Sequence, residues 1–431
     1  MIALLPFILF LTYRYSFYNP TKMVIFYIIL SSASFGFVDM TTMLLGGTDL
    51  GFFSVNMLLF GSIFFYKEWY RIHVFIAPIF VVVFILLLYG ILGPVLREYE
   101  SIVQAVTASK SFLYFSLFFY MFVRRDEIDI FKIMKYIKFI GIYLAVFKII
   151  YAISPSISSL ITPPAFRSSF GSIAYYVRVY FPTYISFTLF IYFAEWQLKI
   201  ISTRKMLFMF AFLILGVHLC QHAALTGMTF LALVFIYFVW HTGSERDSYQ
   251  SIKKFLFSFF FIIVVVVSSP SIQKTILEQY TGISSGDDAA LESREKFNRF
   301  RWRAINSSPI IGMGFVHKTA PIMKKFESKY KSRFTEKFDV IDSGYVDMLV
   351  RFGYGGMYMF LVIFTLYIYN VFRQENPNPY ALVAAAYLVQ YYPMNYTWSV
   401  FTFSHGIIPM SVAFFMIYNF RPNLPLYKIY K

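Results

Sequence analysis

The chain has little of what a soluble enzyme is built from. Only 14 % of its 431 residues are charged, and its one cysteine, Cys220, sits in an apolar stretch. That excludes an internal disulfide and a cysteine-ligated metal. Acid is the scarcer sign, with 22 Asp and Glu against 38 Lys and Arg and a formal net charge of +16. No Gly-x-Ser-x-Gly, no glycine-rich phosphate loop ending in Lys and no His-Glu-x-x-His occurs, so the soluble catalytic signatures are missing. The acidic pairs Asp287-Asp288 and Asp339 to Asp342 are too sparse to argue a metal site, and a helix cap and loop solvation explain them as well. We therefore expect no metal and no cofactor. Nothing at the start resembles a cleaved signal peptide, and Met1 to Phe10 runs on as a first span.

What is present is apolar surface. Hydrophobic residues make up 58 % of the chain and aromatics 22 %, which specifies an all-α polytopic membrane protein. Val74 to Val95 and Phe255 to Ser268 are continuous apolar runs, unlike the short alternating segments of a barrel. We place about 12 to 14 transmembrane helices, thirteen in the best threading, near 2–18, 20–38, 51–66, 72–94, 107–123, 134–153, 173–196, 205–221, 223–240, 255–269, 353–372, 379–394 and 400–419. N-terminal helices occupy 1–269, a long loop 270–342 and C-terminal helices 343–431. Alternate threading puts nineteen of the 38 Lys and Arg on one side, among them Arg124, Lys138, Lys199, Arg204 and Lys205. That side is expected to be cytoplasmic, so the positive charge marks topology and calls for no nucleic acid. The opposite short loops are nearly free of cations, with Arg97 and Arg167 as exceptions.

Against that bias, the long loop carries thirteen Lys and Arg. Its densest part is Ser293-Arg294-Glu295-Lys296-Phe297-Asn298-Arg299-Phe300-Arg301-Trp302-Arg303-Ala304, which the pattern predicts as helix over 288–305 with a stop between Asn306 and Pro309. At about 100° per residue, Phe297, Phe300 and Ala304 share a face, with Arg294 and Arg301 along one margin and Lys296, Arg299 and Arg303 along the other. Guanidinium groups at this density suit a phosphate or pyrophosphate; the plain alternative is a basic helix lying on anionic headgroups. Pro309-Ile310-Ile311-Gly312-Met313-Gly314 follows, then Asp342-Ser343-Gly344-Tyr345.

Outside the loop, Arg178 falls about one turn inside its span, where arginine is expected to be paired, snorkelling or functional, and Arg167 adjoins it. Lys148 is expected to snorkel outward. His218, His222 and His405 read first as hydrogen-bonded bundle residues. Asp347 and Arg351 have ion-pair spacing on a helix, and Gly353, Gly355 and Gly356 permit a bend or close approach.

Arg-rich helix with Trp302, Pro309-x-x-Gly312-x-Gly314, Asp342-Ser343-Gly344-Tyr345 and Gly353-x-x-Gly356 together resemble the signature of the O-antigen polymerase and ligase superfamily of bacterial envelope proteins. Arg301 to Gly312 and Arg303 to Gly314 also resemble the polymerases' Arg-x10-Gly spacing. Ligases of this family carry His where this chain has Asp342, a departure that favours the polymerase branch. The resemblance implies a GT-C-like fold in the bacterial inner membrane with a periplasmic active site. There, glycan on undecaprenyl pyrophosphate is transferred to a second lipid-linked repeat unit, with inversion and without metal. It implies Arg301 and Arg303, with Arg294 or Arg299, on the donor pyrophosphate, Arg167 or Arg178 on the second substrate, and Arg351 as a further binding candidate. Asp342 is the first candidate for general base, His317 the second and Glu292 the third; the competing role for Asp342 is helix N-cap. Undecaprenyl-pyrophosphate-linked glycans, membrane lipids and a separate chain-length regulator are the implied partners. A ligase acting on lipid A core or protein, and a flippase of lipid-linked glycan, are the alternatives.

Overall fold

The computed structural model describes residues 5–31, 50–67, 75–153, 182–220, 223–244, 301–317, 319–324, 343–374, 377–397 and 399–421. Among them the regular structure is helical, without strand. The longer helices are α1 (Leu5–Tyr18), α2 (Pro20–Ser31), α3 (Leu50–Phe64), α4 (Ala77–Leu96), α5 (Ile102–Ala108), α6 (Phe115–Val123), α7 (Ile130–Ile153), α8 (Pro182–Gln197), α9 (Thr203–Leu219), α10 (Ala223–Ser244), α11 (Gly344–Phe372), α12 (Pro379–Val389), α13 (Tyr391–Thr397) and α14 (Ser404–Asn419). The protein is an all-α polytopic membrane protein. By length and composition, α4 and α11 among the described residues suffice to cross a bilayer, and a third crossing arises if 102–108 and 112–123, bent by 70°, count as one. Several other helices are apolar but short, and α7 is long but carries Lys132, Lys135, Lys138 and Lys148.

Each predicted span has a helix within it except 255–269, which lies outside the described residues. Two of them are broken. In 107–123 the polar run Ser109-Lys110-Ser111 interrupts the apolar pattern. In 379–394 the break falls at Gln390, because Pro393 has no N–H to offer the Val389 carbonyl. Start signals act as the sequence indicates: Asn378 Oδ1 accepts from the Tyr380 amide at 2.9 Å, just ahead of Pro379, and Ser101 with Gln104 forms a capping box on α5.

Helices apolar on every side belong inside a bundle, and α6 is buried at all nine positions while α8 is buried from Pro182 through Glu195. Around α8 pack α7, α9 and α12. Small residues allow the closest approaches: a side chain at Gly141 would meet Thr188, and one at Gly216 would meet Ala145. Lys148 is 4 % exposed, so its side chain stays within the bundle; the outward snorkelling expected of it does not occur.

The contacts sort the charges into two ends. At one, Arg124 binds Glu127 through Nε at 3.0 Å and Nη2 at 2.7 Å, and donates to the Ser16 and Phe17 carbonyls at 3.1 and 3.2 Å. Those carbonyls end α1 and have no acceptor role left inside it, so the guanidinium caps the helix. Lys138 pairs with Glu195, Trp196 bonds Thr203 at 3.1 Å, and Phe131, Tyr380 and Phe420 share ring contacts. Arg124, Lys138, Lys199, Arg204, Lys205 and Arg421 therefore gather at this end. The other end receives the 96–112 turn, the described part of the long loop and the start of α11.

Candidate functional site

The site is built on two damaged helices. Pro94 inside α4 lacks an N–H, which leaves the Gly90 carbonyl one turn earlier without its helical donor. The Phe315 amide supplies one at 2.7 Å. In α11, Gly353 breaks the helix with φ 63° and ψ −173°, a region essentially reserved for glycine. The carbonyls of Val350 and Arg351, released by that break, accept from the Met313 and Gly314 amides at 2.7 and 2.8 Å. Beyond the break, the Tyr354 and Gly355 amides donate to the Pro309 and Ile310 carbonyls at 2.7 and 2.8 Å. The Pro-x-x-Gly-x-Gly segment thus replaces, bond for bond, what the two helices lack.

Space is as tight as the bonding. A Cβ on Gly314, itself at φ 83°, would stand 2.4 Å from Pro94 Cγ, and one on Gly90 would stand 2.3 Å from the Phe315 ring. Phe315 also packs on Phe112 and Phe352 with centroids 5.5 and 5.6 Å apart. Arg97 closes the outer edge. Its Nη1 donates to the Gly312 carbonyl at 2.8 Å and to Ser308 Oγ at 3.2 Å, its Nε to the Gly93 carbonyl at 3.0 Å, and its Nη2 to Tyr89 Oη at 2.8 Å. Charge-assisted bonds of this kind contribute about 1.5–3 kcal/mol each.

Polar side chains ring this junction. Arg351 Nε meets Asp347 Oδ1 at 2.6 Å, and the Arg351 guanidinium lies 5.3 Å from the Phe315 ring centroid. The expected i, i+4 pair is therefore formed, with Asp347 fully buried. Glu100, 6 % exposed, accepts from the His317 amide at 2.7 Å. His317 Nδ1 lies 2.7 Å from Thr319 Oγ1 and 3.3 Å from the Thr319 amide, and Gln104 Nε2 donates to Thr319 Oγ1 at 3.1 Å. A backbone amide only donates, so Nδ1 is the acceptor and the neutral ring carries its hydrogen on Nε2. In this arrangement His317 presents a hydrogen-bond donor, and acting as a base requires the other tautomer.

Residues 301–307 are helical and stop within the predicted Asn306 to Pro309 run. Arg301 does not sit on the margin of this helix. It is 5 % exposed and shares the buried face with Ala304 and Ile305, while Trp302 and Arg303 face outward. The charge pattern predicted Arg301 on one of two margins; it lies on the buried side instead. His317 and Arg351 belong to the junction, and Arg301 and Arg303 lie on the helical turn that leads into it. Asp342, Arg167, Arg178, Arg294 and Arg299 lie outside the described residues. Ser343 occupies the N-cap position of α11 without a side-chain cap hydrogen bond. Sequence reasoning passed over Arg97 and Glu100. Their signal was Arg97 as a cation on the cation-poor side, three residues after a proline within a span.

Residues 207–361 match the family described as O-antigen ligase, whose members are glycosyl-transferring enzymes. The match runs from α9 through the described loop into α11, so it holds two of the three partners of the junction and leaves α4 outside. Comparison with curated proteins gave no match.

Proposed function

Taking residues 207–361 as a domain of the O-antigen polymerase and ligase superfamily, we propose that the protein joins undecaprenyl-pyrophosphate-linked oligosaccharide repeat units into a polysaccharide on the periplasmic face of the inner membrane. The supporting observation is the anchoring of the basic segment. Arg301 and Arg303 lead directly into a loop whose backbone is bonded to α4 and α11 at one common end. That end is opposite the one where Arg124, Lys138, Lys199, Arg204 and Lys205 collect, and cation-rich ends face the cytoplasm.

Breaking the bond between the sugar's anomeric carbon and the pyrophosphate places charge on the departing phosphate. Guanidinium groups held in advance stabilise that charge without reorganising. Arg303 faces outward to meet a headgroup, and Arg301 beneath it fixes the local positive field. An acceptor hydroxyl of the second repeat unit attacks from the opposite face of the sugar, with Asp342 the first choice to take its proton; the anomeric configuration inverts. His317 Nε2, as a donor, suits a phosphate or hydroxyl oxygen better than the role of base.

Purified protein in liposomes containing one lipid-linked repeat unit tests this. Products longer than one repeat are expected, and translocation without elongation would assign the protein to transport instead. The matched family's description favours a ligase as the second reading. In a deletion strain, loss of ladder length with single repeats still attached identifies a polymerase, and loss of all attached glycan identifies a ligase.

A further inference from the structure

Far from the junction, at the cation-rich end, α8, α9 and α10 line an apolar cavity of about 350 Å³ that is open on one side. Its wall includes Phe193, Trp196, Met206, Phe210, Leu233 and Tyr237, with Thr203 at its polar edge. Nothing in the proposed transfer uses it. Beside it, the turn from α8 to α9 carries Lys199 and the first turn of α9 carries Arg204 and Lys205, all exposed. Among the described residues none of the three has a carboxylate within ion-pair distance, because Glu195, the acid at the end of α8, is held by Lys138. Lys199 also adopts φ 58°, a left-handed position where glycine is the unstrained choice at a helix end. A lysine there carries charge at a conformational cost.

We infer that this cavity holds an acyl chain of an anionic phospholipid from the leaflet at the cation-rich end, with Lys199, Arg204 and Lys205 on its headgroup phosphate. The cavity falls within the usual size of a ligand pocket, and its wall is too apolar to stabilise water, which needs two or more polar partners. Trp196 and Tyr237 stack at 6.4 Å, and the Trp196 indole N–H is tied to Thr203. Such rings, apolar in body and polar at the tip, sit at the level of lipid headgroups. Three cations near a surface attract anionic lipid by about 1 kcal/mol each, so selection over a zwitterionic lipid rests on charge and retention rests on the cavity.

Trp196 reports occupancy directly. Full-length protein is reconstituted in phosphatidylcholine vesicles containing phosphatidylglycerol, with bromine placed on the acyl chains of one lipid or the other. The difference in fluorescence quenching between wild type and Trp196→Phe isolates this one tryptophan. We expect brominated phosphatidylglycerol to quench it several-fold more strongly than brominated phosphatidylcholine at equal mole fraction. Combined Lys199→Glu, Arg204→Glu and Lys205→Glu should erase that preference. Equal quenching by both lipids overturns the anionic assignment, and absence of quenching overturns lipid occupancy. Relief of quenching by a polyprenyl phosphate at low mole fraction, where added unbrominated phosphatidylglycerol gives none, would assign the cavity to the carrier lipid and also overturn the inference. Native mass spectrometry of the unsubstituted protein gives a variant-free check, with retained phosphatidylglycerol expected and delipidated protein counting against it. Neither readout depends on glycan transfer, so failure here leaves the proposed polymerase intact, and the reverse holds.

Discussion

Gly353→Ala probes the junction at its most constrained point. The native backbone there lies at φ 63° and ψ −173°, where a side chain costs about 1–3 kcal/mol in conformational strain alone. An added Cβ would also stand 2.4 Å from both C and O of Ile310 and 2.6 Å from the Gly312 nitrogen. These are backbone atoms and no rotamer change moves them. The junction must therefore open. Opening gives up the bonds from Met313, Gly314, Tyr354 and Gly355 to their partner carbonyls, at about 1 kcal/mol each. The expected loss is about 3–5 kcal/mol, set by whichever response is cheaper. Thermal inactivation of the detergent-solubilised protein, followed by size-exclusion chromatography, measures it, and the length of the glycan product measures its consequence. Gly312→Ala meets the same interface, since its Cβ would fall 2.5 Å from Arg351 C, Arg351 O and Gly353 N. The double variant should cost little more than either single one, because the contact is lost only once. A Gly353→Ala protein that matches wild type in thermal midpoint, or two costs that add in full, refutes the bonding scheme.

Pro94→Ala restores an N–H that competes with Phe315 for the Gly90 carbonyl. Alanine for proline inside a helix ordinarily stabilises by about 3 kcal/mol, but here the thermal midpoint is expected to stay level or fall, and a clear rise would show that the Phe315 bond contributes nothing. Arg303→Ala should abolish elongation in the liposome assay while leaving the thermal midpoint within error, because the side chain is exposed; loss of one such donor from a developing anion lowers rates by about 10²–10³. Arg301→Lys keeps the buried charge but loses the planar fork, and wild-type product lengths in that variant would remove Arg301 from the site. Arg124→Ala strips donors from the Ser16 and Phe17 carbonyls and leaves Glu127 unpaired. With Glu127 part-exposed, we expect a loss of about 1–3 kcal/mol in stability and no change in product length among molecules that remain folded.

The helices were legible because each is an apolar run between polar turns, and Asn378-Pro379 or Ser101 with Gln104 mark starts by local chemistry. The breaks were only half legible. Pro393 announces the stop at Val389 within its own segment, whereas the glycines at 353, 355 and 356 signal a bend without saying what fills it. Arg301 was misplaced for a related reason: its charge argued for a margin, and the burial of a side chain is decided by tertiary packing that the local pattern does not show. Nothing near Pro94 reveals that Phe315 completes it, because a missing donor in one helix and a spare donor in a distant loop become partners only in three dimensions.

That complementarity bears on how arginines can be positioned at a membrane surface. Irregular backbone at membrane depth is tolerated only where every N–H and C=O finds a partner, and a helix with a proline or a glycine break has partners to offer. The segment from Pro309 to Phe315 uses them at five points: Pro309, Ile310, Met313, Gly314 and Phe315 each make a backbone bond to α4 or α11, and Gly312 bonds back to the Ser308 carbonyl. The helical turn bearing Arg301 and Arg303 joins this segment through Ser308, whose hydroxyl also meets the Gly312 carbonyl and Arg97. A tilt of either α4 or α11 would therefore move the guanidinium groups with it. Cations meant only to touch headgroups need no such fixing, since a flexible basic helix serves equally well; fixing them to two helices at once has a physical use when their distance to a scissile bond has to be kept.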